Sequence, residues 1–238
     1  MNKEEALKLQ EEVLEKYKKI CILMPTYKNI PSVCAHDFFV LTSLLYQFGF
    51  EPQFRFIDQT NVVVARNFLQ KQVVKELAED PDKFDIVLWL DSDQRFTFKD
   101  VLELISHYHL YDEIDILSGR YITRDLECPR VCAFMVNEDK YVAVGPDTKG
   151  IKEVDGVGFG FVLMTPKVMQ DMQEEYGNFS FEFRSVGDKE TGGCIGEDLD
   201  WCDKAKKIGY KIYLDSNVEI GHYGGLITEK MIDHLKTK

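Results

Sequence analysis

The chain has 238 residues, of which 45% are hydrophobic and 29% charged, a balance typical of a soluble globular protein with a real core. Its formal net charge is −12, so its overall field does not attract nucleic acids or anionic lipids. No stretch approaches the roughly 20 apolar residues of a membrane span, and the N-terminus lacks the apolar segment of a signal peptide. We therefore expect a soluble, cytoplasmic protein without a nucleic-acid partner; peripheral membrane association and the oligomeric state stay open.

In the first half of the chain, segments with helical periodicity alternate with short apolar runs. The predicted order is a helix over 3–18, a strand over 20–24, a helix over 35–48, a strand over 52–58, a helix over 61–79, a strand over 86–90, a helix over 97–108 and a strand over 114–119. Such alternation is typical of an open, mainly parallel sheet. We therefore predict an α/β fold, a Rossmann-like three-layer α/β/α sandwich.

The second half of the chain has a more mixed pattern. We predict a hairpin from 131–136 and 141–144, one glycine-rich strand over 156–164, a helix from 165, a loop over 178–194, a helix over 196–208 and a strand over 211–214. This portion would add a smaller, mixed or antiparallel part to the fold. Without a repeat or a low-complexity linker, the chain is predicted to form an N-terminal helix over 1–19 and one domain over 20–238.

An apolar run over 86–90 ends abruptly in Asp91-Ser92-Asp93. Two carboxylates at this spacing repel each other unless a positive charge lies beside them. Open α/β sheets bind ligands beyond the carboxyl ends of their parallel strands, and carboxylate oxygens suit Mg²⁺ or Mn²⁺. One interpretation is therefore a divalent cation that joins these side chains to a phosphate ligand. The alternative is a polar turn that caps the helix beginning near Thr97.

Three further features permit both a structural and a functional interpretation. Arg66, in an apolar helix start, either pairs with a nearby carboxylate or points its guanidinium group at a nucleotide or diphosphate. Glu197 and Asp198 open a predicted helix, where they either compensate the helix dipole or supply a general base. His222, which has glycines on both sides, is either a structural histidine or a metal ligand.

Taken in order, several segments resemble the A-type (GT-A fold) nucleotide-sugar glycosyltransferases, in particular family 2. The resemblance covers roughly residues 20–225 and rests on the segments ILMPTY (22–27), ARN (65–67), LWLDSD (88–93), DGVGFGF (155–161), GEDLDWC (196–202) and GH (221–222). By this resemblance, residues 20–119 form the nucleotide-binding half and residues 120–225 the acceptor-binding half.

The resemblance also implies a role for individual residues. The metal, Mn²⁺ or alternatively Mg²⁺, would be held by Asp93, His222 and Asp91. The nucleotide sugar would be bound by Pro25, Thr26, Tyr27, Asp58, Arg66, Asp91 and Ser92. The catalytic residues would be Asp198, as the general base of an inverting reaction, and Glu197. The acceptor would be bound by Gly156, Gly158 and Asp200.

The implied activity is a divalent-metal-dependent glycosyltransferase, which transfers a sugar from a UDP- or GDP-linked donor to a hydroxyl of a glycan or small acceptor. Retaining enzymes of the same fold share this framework, so inversion is only the favoured outcome. A nucleotidyltransferase uses a related sheet, but residues 25–29 lack the glycine-rich, basic phosphate loop that it would carry. The remaining alternative is a non-catalytic nucleotide- or carbohydrate-binding module, which would not need all the acidic residues and the histidine.

Overall fold

The computed structural model describes residues 3–27, 29–125, 127–138, 140–186 and 193–223. The helices are α1 (Lys3–Lys16), α2 (Ser32–Gln47), α3 (Val62–Glu79), α4 (Phe98–Leu110), α5 (Pro166–Tyr176) and α6 (Glu197–Lys207). The strands are β1 (Lys19–Pro25), β2 (Glu51–Ile57), β3 (Ile86–Leu90), β4 (Gln94–Arg95), β5 (Ile116–Arg120), β6 (Ala133–Asn137), β7 (Lys140–Ala143), β8 (Ile151–Val154), β9 (Gly156–Val157), β10 (Phe161–Met164), β11 (Arg184–Val186), β12 (Gly193–Ile195), β13 (Ile212–Glu219) and β14 (Gly221–His222).

Seven strands form the large sheet, in the order β2-β1-β3-β10-β5-β13-β8. β1 pairs in parallel with β2 and β3, and β13 pairs in parallel with β5. β10 lies antiparallel between β3 and β5, and β8 is an antiparallel edge strand. The predicted α/β fold with a mainly parallel sheet is therefore confirmed, and both antiparallel strands of this sheet come from the second half of the chain.

Helices cover both faces of the sheet because the side chains of each buried strand alternate between the two faces. In β3, Val87 and Trp89 belong to the core cluster that includes α3, α5 and α6. Ile86, Leu88 and Leu90 of the same strand belong to the cluster that includes α1, α2 and α4. The predicted three layers are therefore present, with the sheet in the middle.

The predicted boundaries fail mainly in the second half of the chain. Residues 156–164 are not one strand, since β9 pairs with β6 in a separate three-stranded sheet, whereas β10 lies in the centre of the large sheet. The segment predicted as a loop contains β11 and β12, which pair as a hairpin. β8 lies outside every predicted element, and β13 continues to Glu219. The predicted hairpin is confirmed as β6 and β7.

The N-terminal helix is an integral part of the fold. Val13 of α1 is buried in the same core cluster as residues of α2 and α4, so the helix contributes to one of the two outer layers. No helix within the described ranges has both the length and the apolar composition to cross a membrane.

Candidate functional site

A cavity of about 730 Å³ opens at the carboxyl ends of β1 and β3, where ligands bind in open α/β sheets. Its walls include the loop after β1, the first turns of α3, the acidic segment after β3 and the start of α6. The structure brings the following predicted site residues together around it: Pro25, Thr26, Tyr27, Arg66, Asp91, Ser92, Asp93 and Glu197.

Asp93 and His222, which we predicted to share a metal ion, lie side by side. β14 pairs antiparallel with β4, and this pairing places Nε2 of His222 3.6 Å from Oδ1 of Asp93. Nδ1 of the imidazole lies 2.9 Å from the carbonyl oxygen of Ile122, so Nδ1 carries the proton in the neutral ring. Nε2 then presents a lone pair toward the carboxylate, at a distance too long for a hydrogen bond. Metal-binding histidines have this orientation, with the other ring N–H held by a carbonyl or a carboxylate.

The guanidinium group of Arg124 also lies beside Asp93. Its Nη1 atom lies 2.9 Å from Oδ2 of Asp93, and its side chain is 57% exposed. Burial alone would raise the pKa of Asp93, but the ring of His222, when it is protonated, and the guanidinium group of Arg124 hold this pKa below its usual value. Asp93 is therefore ionised at neutral pH, which metal coordination requires.

Asp91 faces a different cation, because its carboxylate lies against Arg66. Nη2 of Arg66 is 3.2 Å from each oxygen of Asp91, and Nη1 is 2.7 Å from Oε1 of Glu197. Arg66 is only 3% exposed, and its guanidinium carbon lies 5.4 Å from the ring centroid of Phe159. Of the two interpretations of Arg66, the structure therefore supports the one in which the guanidinium group pairs with nearby carboxylates. The guanidinium group ties the end of β3 to the start of α6.

The acidic segment does not cap the following helix. α4 is capped by Thr97, whose hydroxyl accepts from the N–H of Asp100 while the carboxylate of Asp100 accepts from the N–H of Thr97. Asp91 and Asp93 precede this capping box, and their carboxylates face the cations described above. The polar turn itself is present, because the N–H of Gln94 donates to the carbonyl oxygen of Asp91 at 3.2 Å, but the predicted helix cap is wrong.

Asp198 lies in the first turn of α6, beside Glu197, and is partly exposed. Burial raises the pKa of its carboxyl group to about 6, against the opposing effect of Arg66. One carboxylate oxygen accepts a hydrogen bond from the N–H of Leu199 at 2.8 Å. A carboxylate with a raised pKa is a stronger proton acceptor than an ordinary aspartate. Of the two acidic residues, Glu197 lines the cavity, whereas Asp198 is not one of its lining residues.

Thr26 offers an unsatisfied polar atom to the cavity. The residue is 6% exposed, and its hydroxyl has no hydrogen-bond partner within the part of the chain that the structure describes. Buried hydroxyls are normally hydrogen-bonded, so a ligand in the cavity is a natural partner for it. Tyr27, at the rim, is 66% exposed. Asp58, predicted to bind the nucleotide sugar, is exposed beyond the end of β2 and outside the cavity lining, where Asn61 lies instead.

The predicted acceptor glycines are buried by close packing. A Cβ atom on Gly156 would lie 2.7 Å from Cδ2 of Leu199 in α6, and one on Gly158 would overlap the hydroxyl of Tyr121. That hydroxyl in turn accepts a hydrogen bond from the N–H of Gly160 at 2.9 Å. The glycine pattern is therefore explained by backbone packing, and an acceptor contact at these positions stays a prediction.

Asp200 also has structural partners. It is 4% exposed, and its two oxygens lie 3.0 Å from Nε of Arg184 and 2.8 Å from Nζ of Lys204. Buried carboxylates need such partners, and Asp200 has them from β11 and from its own helix. Its carboxylate is thus committed to the packing of α6, and the predicted acceptor contact has no support from its position.

Sequence reasoning missed several residues of the cavity. Arg124 and Tyr223 both line it, and the backbone N–H of Tyr223 donates to the carbonyl oxygen of Asp93 at 2.7 Å. Arg124 follows β5, whose carboxyl end lies at the same edge of the sheet as that of β3. That position was the available signal, because residues after such strand ends approach the ligand site.

The residues present fit a metal ion that is coordinated partly by the protein and partly by a bound ligand. They do not fit a site in which the protein supplies every ligand of the ion. Among the described residues, no three or more His, Cys, Asp or Glu side chains are grouped as a metal site. Ions that bind phosphates commonly take one or two protein ligands and complete their shell with water and phosphate oxygens. Two ligands of one ion, each about 2.1 Å away, lie roughly 3–4 Å apart. The 3.6 Å separation of Asp93 and His222 agrees with this geometry.

Comparisons with known proteins do not identify a family for this chain. It matches no protein-family model, and no curated protein matches it significantly.

Proposed function

We propose that the protein is a divalent-metal-dependent glycosyltransferase of the GT-A fold, which transfers a sugar from a UDP- or GDP-linked donor to a hydroxyl of a glycan or small acceptor. One observation carries the proposal: Oδ1 of Asp93 and Nε2 of His222 lie 3.6 Å apart at the edge of a large cavity, with the imidazole already held by the carbonyl of Ile122. A carboxylate and an imidazole in this arrangement suit Mn²⁺, and Mg²⁺ to a lesser degree.

The charge of the cavity supports a cation-assisted donor site. Among the described residues that line the cavity, three carboxylates, those of Asp91, Asp93 and Glu197, face two guanidinium groups, those of Arg66 and Arg124. A diphosphate alone would meet this excess of negative charge unfavourably. A divalent ion on Asp93 and His222 reverses the balance, and when bound it would stabilise the negative charge that develops as the sugar–phosphate bond breaks.

The chain's own residues have complementary roles in this proposal. Thr26 and Tyr27 contact the nucleoside, with the unsatisfied hydroxyl of Thr26 as a donor. Arg124, exposed at the cavity, contacts the phosphates once the ion occupies Asp93. Asp198 accepts the proton of the acceptor hydroxyl as that hydroxyl attacks the anomeric carbon and the nucleoside diphosphate leaves from the opposite face, a single displacement that inverts the configuration. Glu197, held by Arg66, positions the helix turn that bears Asp198.

The proposal is tested by incubating the protein with a panel of UDP- and GDP-sugars and measuring release of the nucleoside diphosphate, with and without Mn²⁺. We expect metal-dependent transfer or slow hydrolysis. Asp93→Asn should lower activity at least about 100-fold, because it removes a carboxylate that binds the ion directly. Asp58→Asn is the matched control, since Asp58 is exposed outside the cavity, and it should retain activity.

The alternatives give different results in the same assay. Metal-independent activity, or full activity of Asp93→Asn, contradicts the proposal. Release of pyrophosphate from a nucleoside triphosphate and a sugar phosphate identifies a nucleotidyltransferase. Nucleotide-sugar binding without turnover against an acceptor library identifies a binding module. The anomeric configuration of the product, read by NMR, separates inversion from retention.

A further inference from the structure

We propose that the protein forms a two-fold homodimer through the outward side of α2, independently of its activity. We define the α2 face as Val33, Phe39, Val40, Ser43 and Tyr46, together with Phe56 of the adjacent strand β2. The exposed fractions are 73% for Phe39, 58% for Tyr46 and 49% for Phe56. Scattered apolar side chains are normal on a protein surface, but a contiguous group that includes three aromatic rings indicates an interaction site.

The residues of the α2 face form one surface. At 3.6 residues per turn, the five residues that belong to α2 fall within an arc of about 140° around the helix axis, on one side of the helix. Phe56 extends the surface onto the edge of the sheet, because its ring contacts Phe38 of α2 with centroids 5.5 Å apart. The hydroxyl of Tyr46 donates to the carbonyl of Pro52 at 3.3 Å, so its ring also lies against β2.

The charge pattern of α2 selects a second copy as the partner. Its residues with acidic or basic side chains are His36 and Asp37, and the carboxylate of Asp37 is paired with Arg95. The α2 face therefore carries no carboxylate, ammonium or guanidinium group, although the whole chain has a net charge of −12. In a two-fold contact, residues near the axis meet their own copies, so an uncharged face avoids self-repulsion. An anionic membrane would instead require Lys or Arg beside the aromatic rings, and α2 has neither.

The contact is expected to use side chains rather than strand pairing. β2 is an edge strand, and the backbone groups of residues 52, 54 and 56 point away from β1. Pro52 has no N–H, and its carbonyl accepts from Tyr46. The carbonyl of Phe54 accepts from Nη1 of Arg55 at 2.9 Å. The outer edge of β2 is thus largely closed to another strand, which is a common protection of sheet edges.

The available area agrees with a stable dimer. Aromatic side chains bury roughly 150–250 Å² each, so the exposed fractions of the α2 face correspond to roughly 400–550 Å² of largely apolar surface per copy. A stable interface needs about 800 Å² per partner. The exposed side chains of Ser32, His36 and Gln47, which lie on the same side of α2, supply the difference.

Sedimentation equilibrium of the full chain tests the proposal. We expect dimers at tens of micromolar protein and a dissociation constant at least about 100-fold higher for Phe39→Glu, which places one charge per copy in the interface. Phe68→Glu is the matched control, because Phe68 is also an exposed phenylalanine on a helix, with 52% of its surface exposed, but it lies on α3. It should remain dimeric. Val40→Glu provides a second interface variant, and the melting temperature of each variant verifies folding.

Three outcomes overturn the proposal. The first is a wild-type chain that is monomeric at 100 µM, about the upper end of the range in which specific dimers form. The second is a dimer that Phe68→Glu disrupts and Phe39→Glu does not. The third is a monomeric wild-type chain that binds neutral phosphatidylcholine vesicles and loses that binding in Phe39→Glu, since the occupant would then be lipid. Failure of the glycosyltransferase assay leaves this test unaffected.

Discussion

Single side chains decide the electrostatics of the site, and Arg66 is the residue on which the others depend. It lies between Asp91 at the end of β3 and Glu197 at the start of α6, and it is almost fully buried. Those carboxylates together raise the pKa of its guanidinium group, although burial opposes this. Removing one member of such a cluster leaves a buried charge without a partner.

We therefore expect Arg66→Met to lower the free energy of unfolding by about 3 kcal/mol. Arg66→Lys should lower it less, because it keeps the positive charge, although an ammonium group cannot make all the contacts of the guanidinium group. Urea denaturation measures both changes. Arg124→Met is the control, because Arg124 is exposed, and it should change stability by less than about 1 kcal/mol while weakening donor binding. If Arg66→Met is as stable as the wild type, the cluster does not hold the site together.

Asp198 provides a pH prediction. Burial raises the pKa of its carboxyl group to about 6, and a general base acts only when it is ionised. The apparent kcat/KM should therefore fall as the pH decreases through about 6, with a slope of one proton. A pH profile under saturating Mn²⁺ measures this. An acid limb near pH 4, where ordinary aspartates titrate, would show that another group accepts the proton.

The raised pKa of Asp198 also predicts how the stability of the fold varies with pH. Activity should increase as Asp198 ionises, whereas stability should decrease. A carboxyl group whose pKa rises on folding contributes stability below its unfolded pKa and loses that contribution as the pH increases through about 6. Asp198→Asn should therefore be inactive, yet more stable than the wild type at pH 8, by up to about 2 kcal/mol. The difference should vanish near pH 4. A variant that loses stability at pH 8 would mean that ionised Asp198 has a stabilising partner.

At the scale of the elements, sequence patterns predict what is local and miss what depends on long-range pairing. β1 and β3 are recognisable because they are short apolar runs ended by Pro25 and by the acidic segment. β10 could not be foreseen as the antiparallel centre of the sheet, because its partners β3 and β5 are distant in sequence. In the site, the acidic segment and His222 were predictable from motifs. Arg124 has no motif, and only its position after β5 indicated that it approaches the site.

The break between β9 and β10 gives a prediction for this element. Gly158 lies at that break, where a Cβ atom would overlap the hydroxyl of Tyr121. Gly158→Ala should destabilise the fold by about 1–3 kcal/mol through this clash. Gly145→Ala is the control, since a Cβ atom there would meet nothing within 4 Å, and it should change stability by less than about 0.5 kcal/mol. Differential scanning calorimetry compares the two, and equal effects would locate the requirement for glycine elsewhere.

At the scale of the whole molecule, polar groups from both halves of the chain meet at one end of the sheet. The loops after β1, β3 and β5 and the start of α6 all reach the same cavity, although they come from both halves of the chain. Ligand binding there should therefore link the two halves and stabilise the entire fold.

Metal and nucleotide should stabilise the protein cooperatively, because the proposed ion has ligands from both the protein and the diphosphate. At 100 times its dissociation constant a ligand adds about 2.7 kcal/mol, which for a domain of this size raises the melting temperature by roughly 5–10 °C. We expect this shift with Mn²⁺ and UDP or GDP together, and a much smaller one with either alone. Asp93→Asn and His222→Ala should each abolish the combined effect, whereas Asp58→Asn should retain it. Equal shifts from nucleotide with and without Mn²⁺ would mean that Asp93 and His222 hold no ion, and the proposed function would lose its basis.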